Sequence, residues 1–531
     1  MAQITPPSAA AGRGTSGAIF AASLGALVAQ MCLTVMAPLV GVFQTKLGAS
    51  TSDLTWLTAA VFAPTAVLEL NFGVLGDMFG RRRLVIGGQL VCAVGAVVDM
   101  AANNVPTLAA GMVLLGLGAA ALLPSTLATI AALSRTPAER SKAIARWALA
   151  IALASALSPL SAGILAQKVG LHAAFSLLVV LALIGAGLSF AKLPDTSAPT
   201  GRTLDWRGQL LCGIGLLAFL YAIIEGANSG WGTTAVIAAF VIAAVALTVF
   251  VVAELRHRSP MFQVRLLKIP AFRAAALTGL LGMLSFLGTV YSMSLKLGAI
   301  NHEGPIGVAM PFVILQIVPL ALGPWLGRLL HHVSPRTLLV VGLVVMAGGE
   351  FWFAGLSMDQ FGLLDLAGPI LLVGVGFIFM FSSLTAAAVN SVPHEMLGMA
   401  SGATSLVRET GQSLGSAVFG AIALTRASSL ITQHLKTLPL PPAALAAVGG
   451  ANHAGGPLAL VNAPFPQPVA SAVVPMARSA LQSGFAAGLI VMACLALLAA
   501  AVVAVTMRGT AARPLAGLDE AEESAVVGAV A

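Results

Sequence analysis

Ionisable residues are scarce in this chain of 531 residues, which holds 19 Asp and Glu and 27 Lys and Arg. Those that fall within long apolar runs are therefore the first candidates for chemistry, because an ionisable group in an apolar helix is costly unless it faces a cavity or a partner. Glu350 lies in Met346-Ala347-Gly348-Gly349-Glu350-Phe351-Trp352, Glu69 in Ala66-Val67-Leu68-Glu69-Leu70-Asn71, and Arg408 and Glu409 in Leu406-Val407-Arg408-Glu409-Thr410. A carboxyl so placed can bind and release a proton, which makes Glu350, Glu69 and Glu409 candidates for proton coupling. Glu350 ranks first, since at 1.5 Å per residue it sits ~20 Å from the basic start of its helix, too deep to snorkel. The plainer readings are a neutral acid hydrogen-bonded to the next helix for Glu350 and support of the turn around Asp77 for Glu69. Arg408 can serve as a gate or in a structural ion pair with Glu409 or another acid, although adjacent helix positions do not face each other.

Other side chains suit a binding surface. Gln30 and Thr34 lie one helical turn apart and can present a polar stripe to a central cavity, with Phe62, Asn71, Trp352 and Phe353 lining the same space. Asp99, Glu225 and Asp365 fall near the ends of apolar runs and read as interfacial. Cys32, Cys92, Cys212 and Cys494 are isolated, with no CxxC and no His pair nearby, so neither a metal site nor a disulfide framework is expected. The chain has no GxxxxGK[ST] or HExxH pattern, and its GxSxG spacing, Gly411-Gln412-Ser413-Leu414-Gly415, falls inside a long apolar run and not on a strand-to-helix turn, which argues against an ATP motor and against an enzyme. No cofactor is implied.

The elements that must position these residues are membrane helices. With 58% apolar and 9% charged residues, the chain has too little charged surface to be a water-soluble globule. A hydrocarbon core of ~30 Å takes ~20 helical residues, and fourteen runs of that kind appear, from 18–41 to 481–507. The net charge of +8 resides in residues at the ends of these runs, a pattern that sets orientation and does not suggest nucleic acid. Arg81, Arg82, Arg83, Arg140, Arg146, Arg256 and Arg336 fall on one side and only a few bases, such as Lys46, Lys168, Lys296 and Arg426, on the other. Both termini are thus expected in the cytoplasm. The segment Gly73–Gly87 has a looser counterpart around Arg336, and Leu157–Gly163 is echoed by Leu414–Gly420, which implies two similar halves with a pair of helices inserted between them. The plan reads as a tail over 1–17, a six-helix half over 18–192, a linker over 193–207, an inserted pair over 208–254, a linker over 255–273, a second six-helix half over 274–507 with an external connection over 425–480, and a tail over 508–531.

Gly73-Val74-Leu75-Gly76-Asp77-Met78-Phe79-Gly80-Arg81-Arg82-Arg83 joins the second and third runs. A small residue at Gly73 permits close helix approach, Gly80 allows a turn, and Asp77 beside Arg81 and Arg82 can form a charged clasp that holds one access state. This GxLxDxxGRR pattern resembles the signature loop of the major facilitator superfamily. Leu204-Asp205-Trp206-Arg207-Gly208, the inserted pair, and Val407-Arg408-Glu409-Thr410-Gly411 look like the fourteen-helix EmrB/QacA-type drug/proton antiporter branch. The branch usually carries an acid in its first helix; Ala29–Pro38 has none here, and of its fifth-helix antiporter motif Ser158-Pro159-Leu160-Ser161-Ala162-Gly163 remains, with Pro159 a candidate gate residue.

The resemblance implies an all-α polytopic membrane protein with the major facilitator fold, two six-helix halves plus two inserted helices. It implies a secondary active transporter that exports amphipathic organic compounds or drugs by proton-coupled alternating access. The runner-up is a narrower carrier of a neutral, anionic or lipid-like solute; an intramembrane enzyme or a channel is the rival of another class. The expected partners are the lipid bilayer, a small organic substrate and protons, with an envelope adaptor as an optional addition, and the chain is expected to be a monomer in a bacterial inner membrane.

Overall fold

A computed structural model describes residues 11–134, 136–194, 205–257, 262, 264–389, 397–436, 438 and 440–507. Residues 1–10 of the first expected tail, all of 508–531, and residues 195–204, 258–261 and 263 of the expected linkers lie outside the described residues. Fourteen described helices are long and apolar enough to cross a membrane. They are α1 (Ala11–Thr34), α2 (Thr51–Phe79), α3 (Arg81–Met100), α4 (Val105–Leu133), α5 (Pro137–Lys168), α6 (Ser176–Lys192) and α7 (Trp206–Ser229). The series continues with α8 (Thr234–Arg256), α9 (Pro270–Ser294), α10 (Pro305–His332), α11 (Pro335–Gly355), α12 (Leu363–Val389), α13 (Leu397–Leu435) and α14 (Gln467–Thr506).

Polar residues between the apolar runs start the next helix by capping its free N–H groups. Ser50 and Asp53 form a reciprocal capping box at α2, and Asn104, Thr136, Asp205 and Ser334 cap α4, α5, α7 and α11. Proline occupies the first turn of α5, α9, α10 and α11, where its missing N–H costs nothing. In lipid there is no hydrophobic drive between helices, so close packing of small residues must hold them. A Cβ at Gly415 of α13 would stand 2.7 Å from Leu284 O of α9, so only glycine allows that approach.

Helices α1–α6 form one half and α9–α14 the other, with α7 laid against α2 and α13 and α8 packed on α7. The halves repeat each other in detail. Arg82, at the start of α3, donates to Phe190 O near the end of α6 (2.6 Å), and Arg336, at the start of α11, donates to Ala504 O near the end of α14 (2.6 Å). These arginines and the Gly80 turn mark what is called the basic end of the bundle below. The halves meet along two seams, α2 with α13 and α5 with α10. At the far end both seams are closed: Thr55 Oγ1 and Tyr291 OH share a 2.9 Å hydrogen bond, Ile306 N donates to Gln167 Oε1 (3.1 Å), and Thr51 Oγ1 donates to Gly455 O (2.7 Å). The repeated glycines sit on these seams. A Cβ at Gly163 would lie 2.6 Å from Pro305 O, and one at Gly420 would lie 3.3 Å from Thr55 Oγ1.

Three helix limits differ from the sequence reading. The first run breaks at a 3-10 turn, Ala37–Leu39, and resumes as a short helix, Val40–Leu47. Pro38 lacks the N–H that would continue α1. Helix α13 continues past the expected edge at 424 to Leu435, and α14 starts at Gln467, so the connection between them is shorter than 425–480 and contains helices Pro442–Gly455 and Pro457–Asn462. At 1.5 Å per residue α13 is ~58 Å long, well beyond a ~30 Å hydrocarbon core. Hydropathy marks where a helix leaves the membrane, not where it stops.

Candidate functional site

Glu69, Arg408 and Glu409 come together on the α2–α13 seam. Glu69 lies ten positions before the basic end of α2 and Arg408 eleven positions after the start of α13, so each is ~15–16 Å from its helix terminus. Both therefore lie well inside a bilayer that measures ~40–45 Å with its headgroups. The Arg408 Nε and Nη2 groups donate to Glu409 Oε1 at 3.2 and 3.1 Å, and Gln412 Nε2 donates to Glu409 Oε2 at 3.0 Å. Adjacent positions do pair here, because the long guanidinium arm folds back along its own helix. Glu69 and Glu409 are buried. Glu69 feels the charges of both Glu409 and Arg408 across the seam, and its Oε2 has no hydrogen-bond partner among the described residues. A guanidinium paired with one carboxyl and within electrostatic reach of a second makes a cluster that is neutral when it holds one proton and singly negative when it holds none.

Beside these charges runs an aromatic ladder that the sequence reading missed. Phe286 of α9 stacks on Phe377 of α12 with centroids 4.0 Å apart, Phe377 meets Phe381 at 5.5 Å, and Arg408 Cζ stands 5.3 Å from the Phe381 centroid. The signal was present in the i, i+4 spacing of Phe377 and Phe381, which puts both rings on one helix face. Apolar rings next to buried charge offer an amphipathic molecule two kinds of contact.

The Arg-rich turn forms the predicted clasp. Arg81 donates from Nε and Nη2 to Asp77 Oδ1 at 3.1 and 2.7 Å, and from Nη1 to Ala128 O at 3.1 Å, so one side chain ties α2, α3 and α4 together. Gly80 has φ +98°, a conformation that favours glycine. Arg82 also covers the Phe190 ring at 5.2 Å. Gly73 is less demanding than expected: a Cβ there would rest 3.7 Å from Pro124 Cβ, an ordinary contact. Pro159 is buried in α5 one turn before Gly163, and Ser158 beside it donates to Met31 O of α1 at 2.9 Å. Pro159 thus lies one turn from Gly163, whose Cα meets α10 at Pro305 O, while Ser158 ties the same stretch of α5 to α1.

The profile of the Major Facilitator Superfamily matches residues 22–416. The chain belongs to the Major Facilitator Superfamily. Among relatives of this superfamily member, the "Multidrug efflux pump LfrA" of Mycolicibacterium smegmatis is 29% identical over 462 residues, covering 86% of this chain and 90% of the relative. The "Tetracenomycin C resistance and export protein" of Streptomyces glaucescens is 25% identical over 425 residues, covering 80% and 78%. A crystal structure of a POT family transporter in complex with a thioalcohol conjugated peptide superposes with a TM-score of 0.62 at 12% identity, covering 93% of this chain and 96% of that one. That likeness concerns the fold.

Within this major facilitator fold, the remaining predicted residues are dispersed. Glu350 is fully buried inside the second half. Ser285 Oγ of α9 lies 2.6 Å from Glu350 Oε1 and 2.9 Å from Met492 O of α14, and Thr289 Oγ1 lies 3.0 Å from the same carboxyl oxygen. A hydroxyl has one proton, so Ser285 satisfies both contacts only if the carboxyl donates on its side. This network suits the neutral acid, and it sits away from both seams. Trp352 is 51% exposed and packs over Gly368 of α12, on the outside of α11, so it does not line a shared space with Gln30. Phe353 is buried in the second half under Lys296 Nζ, 5.3 Å away. Thr34 Oγ1 returns to Gln30 O (3.0 Å), and both residues are half-buried on α1. Phe62 and Asn71 are buried on α2; at 100° per residue Asn71 points away from Glu69, and its Nδ2 has no partner among the described residues.

Two charged residues read as interfacial or external, Asp99 and Lys296, turn inward, and Glu225, near the end of α7, is half-buried against α2. Asp99 is buried against Gly111, Glu225 accepts from Trp56 Nε1 at 3.0 Å, and Lys296 is buried and donates to Ser357 O at 2.8 Å. Each stands near the end of an apolar run, where position alone cannot separate a snorkelling side chain from an inward one.

Proposed function

We propose that this superfamily member is a secondary active exporter of amphipathic organic compounds, drugs among them, that works by alternating access between its halves and is driven by protons moving inward. The printed functions of its relatives, a multidrug efflux pump and a resistance and export protein, support the export reading. The basic end is taken as cytoplasmic on the placement of Arg81, Arg82, Arg83 and Arg336, so that both termini are inside and the closed far end faces outward. The carrier acts as a monomer.

The observation that carries the reading is the Glu69–Arg408–Glu409 cluster on a seam between two mobile halves, inside the membrane and beside an aromatic ladder. An organic cation on the Phe377 and Phe381 rings favours the singly negative cluster, and a proton replaces that charge once the compound has left. The test is flux in proteoliposomes under an imposed pH gradient, with a lipophilic organic cation as cargo. Glu69→Gln is expected to lose gradient-driven flux by at least ten-fold while keeping cargo-for-cargo exchange; wild-type gradient drive in that variant refutes the cluster's role. Conductance that does not saturate would favour a channel.

A second reading, a narrower carrier of a neutral or anionic solute, draws on the absence of any acid in Ala29–Pro38 of α1. The same assay with neutral and anionic cargo separates the two.

A further inference from the structure

A cleft of about 640 Å³ opens at the far end between the inserted pair and α13. Its walls are Ile223 of α7, Trp231 of the α7–α8 turn, and one face of α13 that passes from Val418 and Ile422 to Arg426 and Ser429. Along α13, Val418 and Ile422 stand ~32 and ~38 Å from Leu397, and Arg426 ~44 Å. A bilayer with its headgroups measures ~40–45 Å, so the apolar part of the cleft lies in hydrocarbon and Arg426 lies at headgroup level. Trp231, 44% exposed at the same end, is the kind of residue that marks this boundary.

The charge of the cleft is one-sided. Arg426 is the only ionisable residue among those lining it. Its Nε donates to Ser483 Oγ of α14 at 3.1 Å, which braces the arm and leaves both terminal amino groups for an anion. A guanidinium presents them as a fork that matches two phosphate oxygens. An organic cation would be repelled here, and a small soluble anion would leave the apolar wall unused.

We infer that this cleft binds an anionic phospholipid of the far-end leaflet, with its phosphate on Arg426 and Ser429 and an acyl chain along Ile223, Val418 and Ile422. The site is separate from the Glu69–Arg408–Glu409 cluster and does not depend on the transport reading. It wedges between helices tied to different halves: α7 is hydrogen-bonded to α2 through Gln209 and Glu225, whereas α13 belongs to the second half. Bound lipid therefore couples leaflet composition to the relation between the halves.

The experiment measures tryptophan quenching by lipids brominated on the acyl chains, phosphatidylglycerol against phosphatidylcholine, with the full chain in nanodiscs. Trp231→Phe identifies the Trp231 share of the signal among the six tryptophans. That share is expected to saturate with phosphatidylglycerol at a concentration at least five-fold lower than with phosphatidylcholine. Arg426→Ala should erase the preference, Arg426→Lys should keep most of it, and Ser483→Ala, which removes the brace but not the charge, should keep it too. Ser429→Glu places an opposing charge on an exposed position beside Arg426 and should erase the preference without disturbing the core. Equal quenching of Trp231 by both lipids, or an unchanged preference in Arg426→Ala and Ser429→Glu, overturns the inference.

Discussion

Removing the Tyr291 hydroxyl should weaken the far-end closure by a predictable amount. The Tyr291 ring is buried and edge-on to Phe419, with centroids 6.4 Å apart, so Tyr291→Phe keeps that packing. What it loses is the 2.9 Å bond to Thr55 Oγ1, which crosses between the halves. Thr55 is not orphaned, because its hydroxyl also reaches Thr51 O at 3.1 Å. The cost is then the net value of one hydrogen bond, ~1 kcal/mol, without a desolvation penalty for a stranded partner. Since the bond joins the two halves, it is lost when the far end opens and the whole cost falls on the closed state, shifting the closed-to-open ratio about five-fold. Spin labels at Lys168→Cys and His302→Cys, both exposed and on opposite halves, report that ratio once the exposed native thiol is removed by Cys494→Ser. The ratio of short to long distances should fall about five-fold in Tyr291→Phe. Thr55→Val should act similarly, and the double variant should add little to either single one. An unchanged ratio, or fully additive effects, would refute the idea that this bond helps to hold the seam.

Two further outcomes follow from the packing. Gly163→Ala drives a methyl group to within 2.6 Å of Pro305 O and 3.1 Å of Ala309 Cβ; overpacking of ~1–3 kcal/mol should open the far end more than Tyr291→Phe does, as read by the same spin pair, and an unaltered distance distribution contradicts the tight α5–α10 contact. Glu350→Gln keeps the size and hydrogen-bonding capacity of a neutral acid, so gradient-driven flux should stay within about two-fold of wild type and thermal stability should be nearly unchanged. Glu350→Ala strands the Thr289 hydroxyl, while Ser285 keeps Met492 O, and should cost ~1–3 kcal/mol, seen as a lower unfolding temperature. Loss of proton drive in a stable Glu350→Gln protein would return Glu350 to the coupling role.

The fold was legible because it is written in long-range composition. Fourteen apolar runs, basic residues at one set of ends, and repeated segments around Arg82 and Arg336 survive without any knowledge of contacts, and Phe190 O and Ala504 O take the matching hydrogen bonds. The site was only half legible. Glu69, Arg408 and Glu409 were conspicuous as ionisable groups in apolar sequence, but depth along a helix does not reveal azimuth. Glu350 also lies within the membrane-spanning stretch of its helix but turns into its own half, whereas Glu69 turns toward the partner half. Trp352 and Phe353 are neighbours in sequence and differ by about 100° around the helix, which leaves one exposed and the other buried. The Phe286–Phe377–Phe381 ladder joins two helices distant in sequence, and only packing brings its rings together.

The inserted pair explains why the charges occupy one seam and not its pseudo-symmetric counterpart. Gln209 Nε2 donates to Val67 O (2.8 Å), while Glu225 accepts from Trp56 Nε1 (3.0 Å) and Ser52 Oγ (3.3 Å), so α7 is fixed to α2 toward both ends. In the proposed cycle α7 and α2 therefore move as one wall, and α13 shifts against them. The Arg408–Glu409 pair lies entirely on α13 and travels with it. Glu69 stays behind on α2, so it is the member of the cluster whose electrostatic surroundings change most between access states. A carboxyl reports on conformation only if its surroundings differ between the two conformations, which ranks the two acids. Glu69 is the one whose protonation can follow the state of the carrier, and Glu409 is the one that keeps Arg408 neutralised throughout. Glu69→Gln should accordingly uncouple transport from the pH gradient and spare exchange, whereas Glu409→Gln should impair both by leaving a half-buried guanidinium short of its partner. The reverse pattern would place the coupling proton on α13.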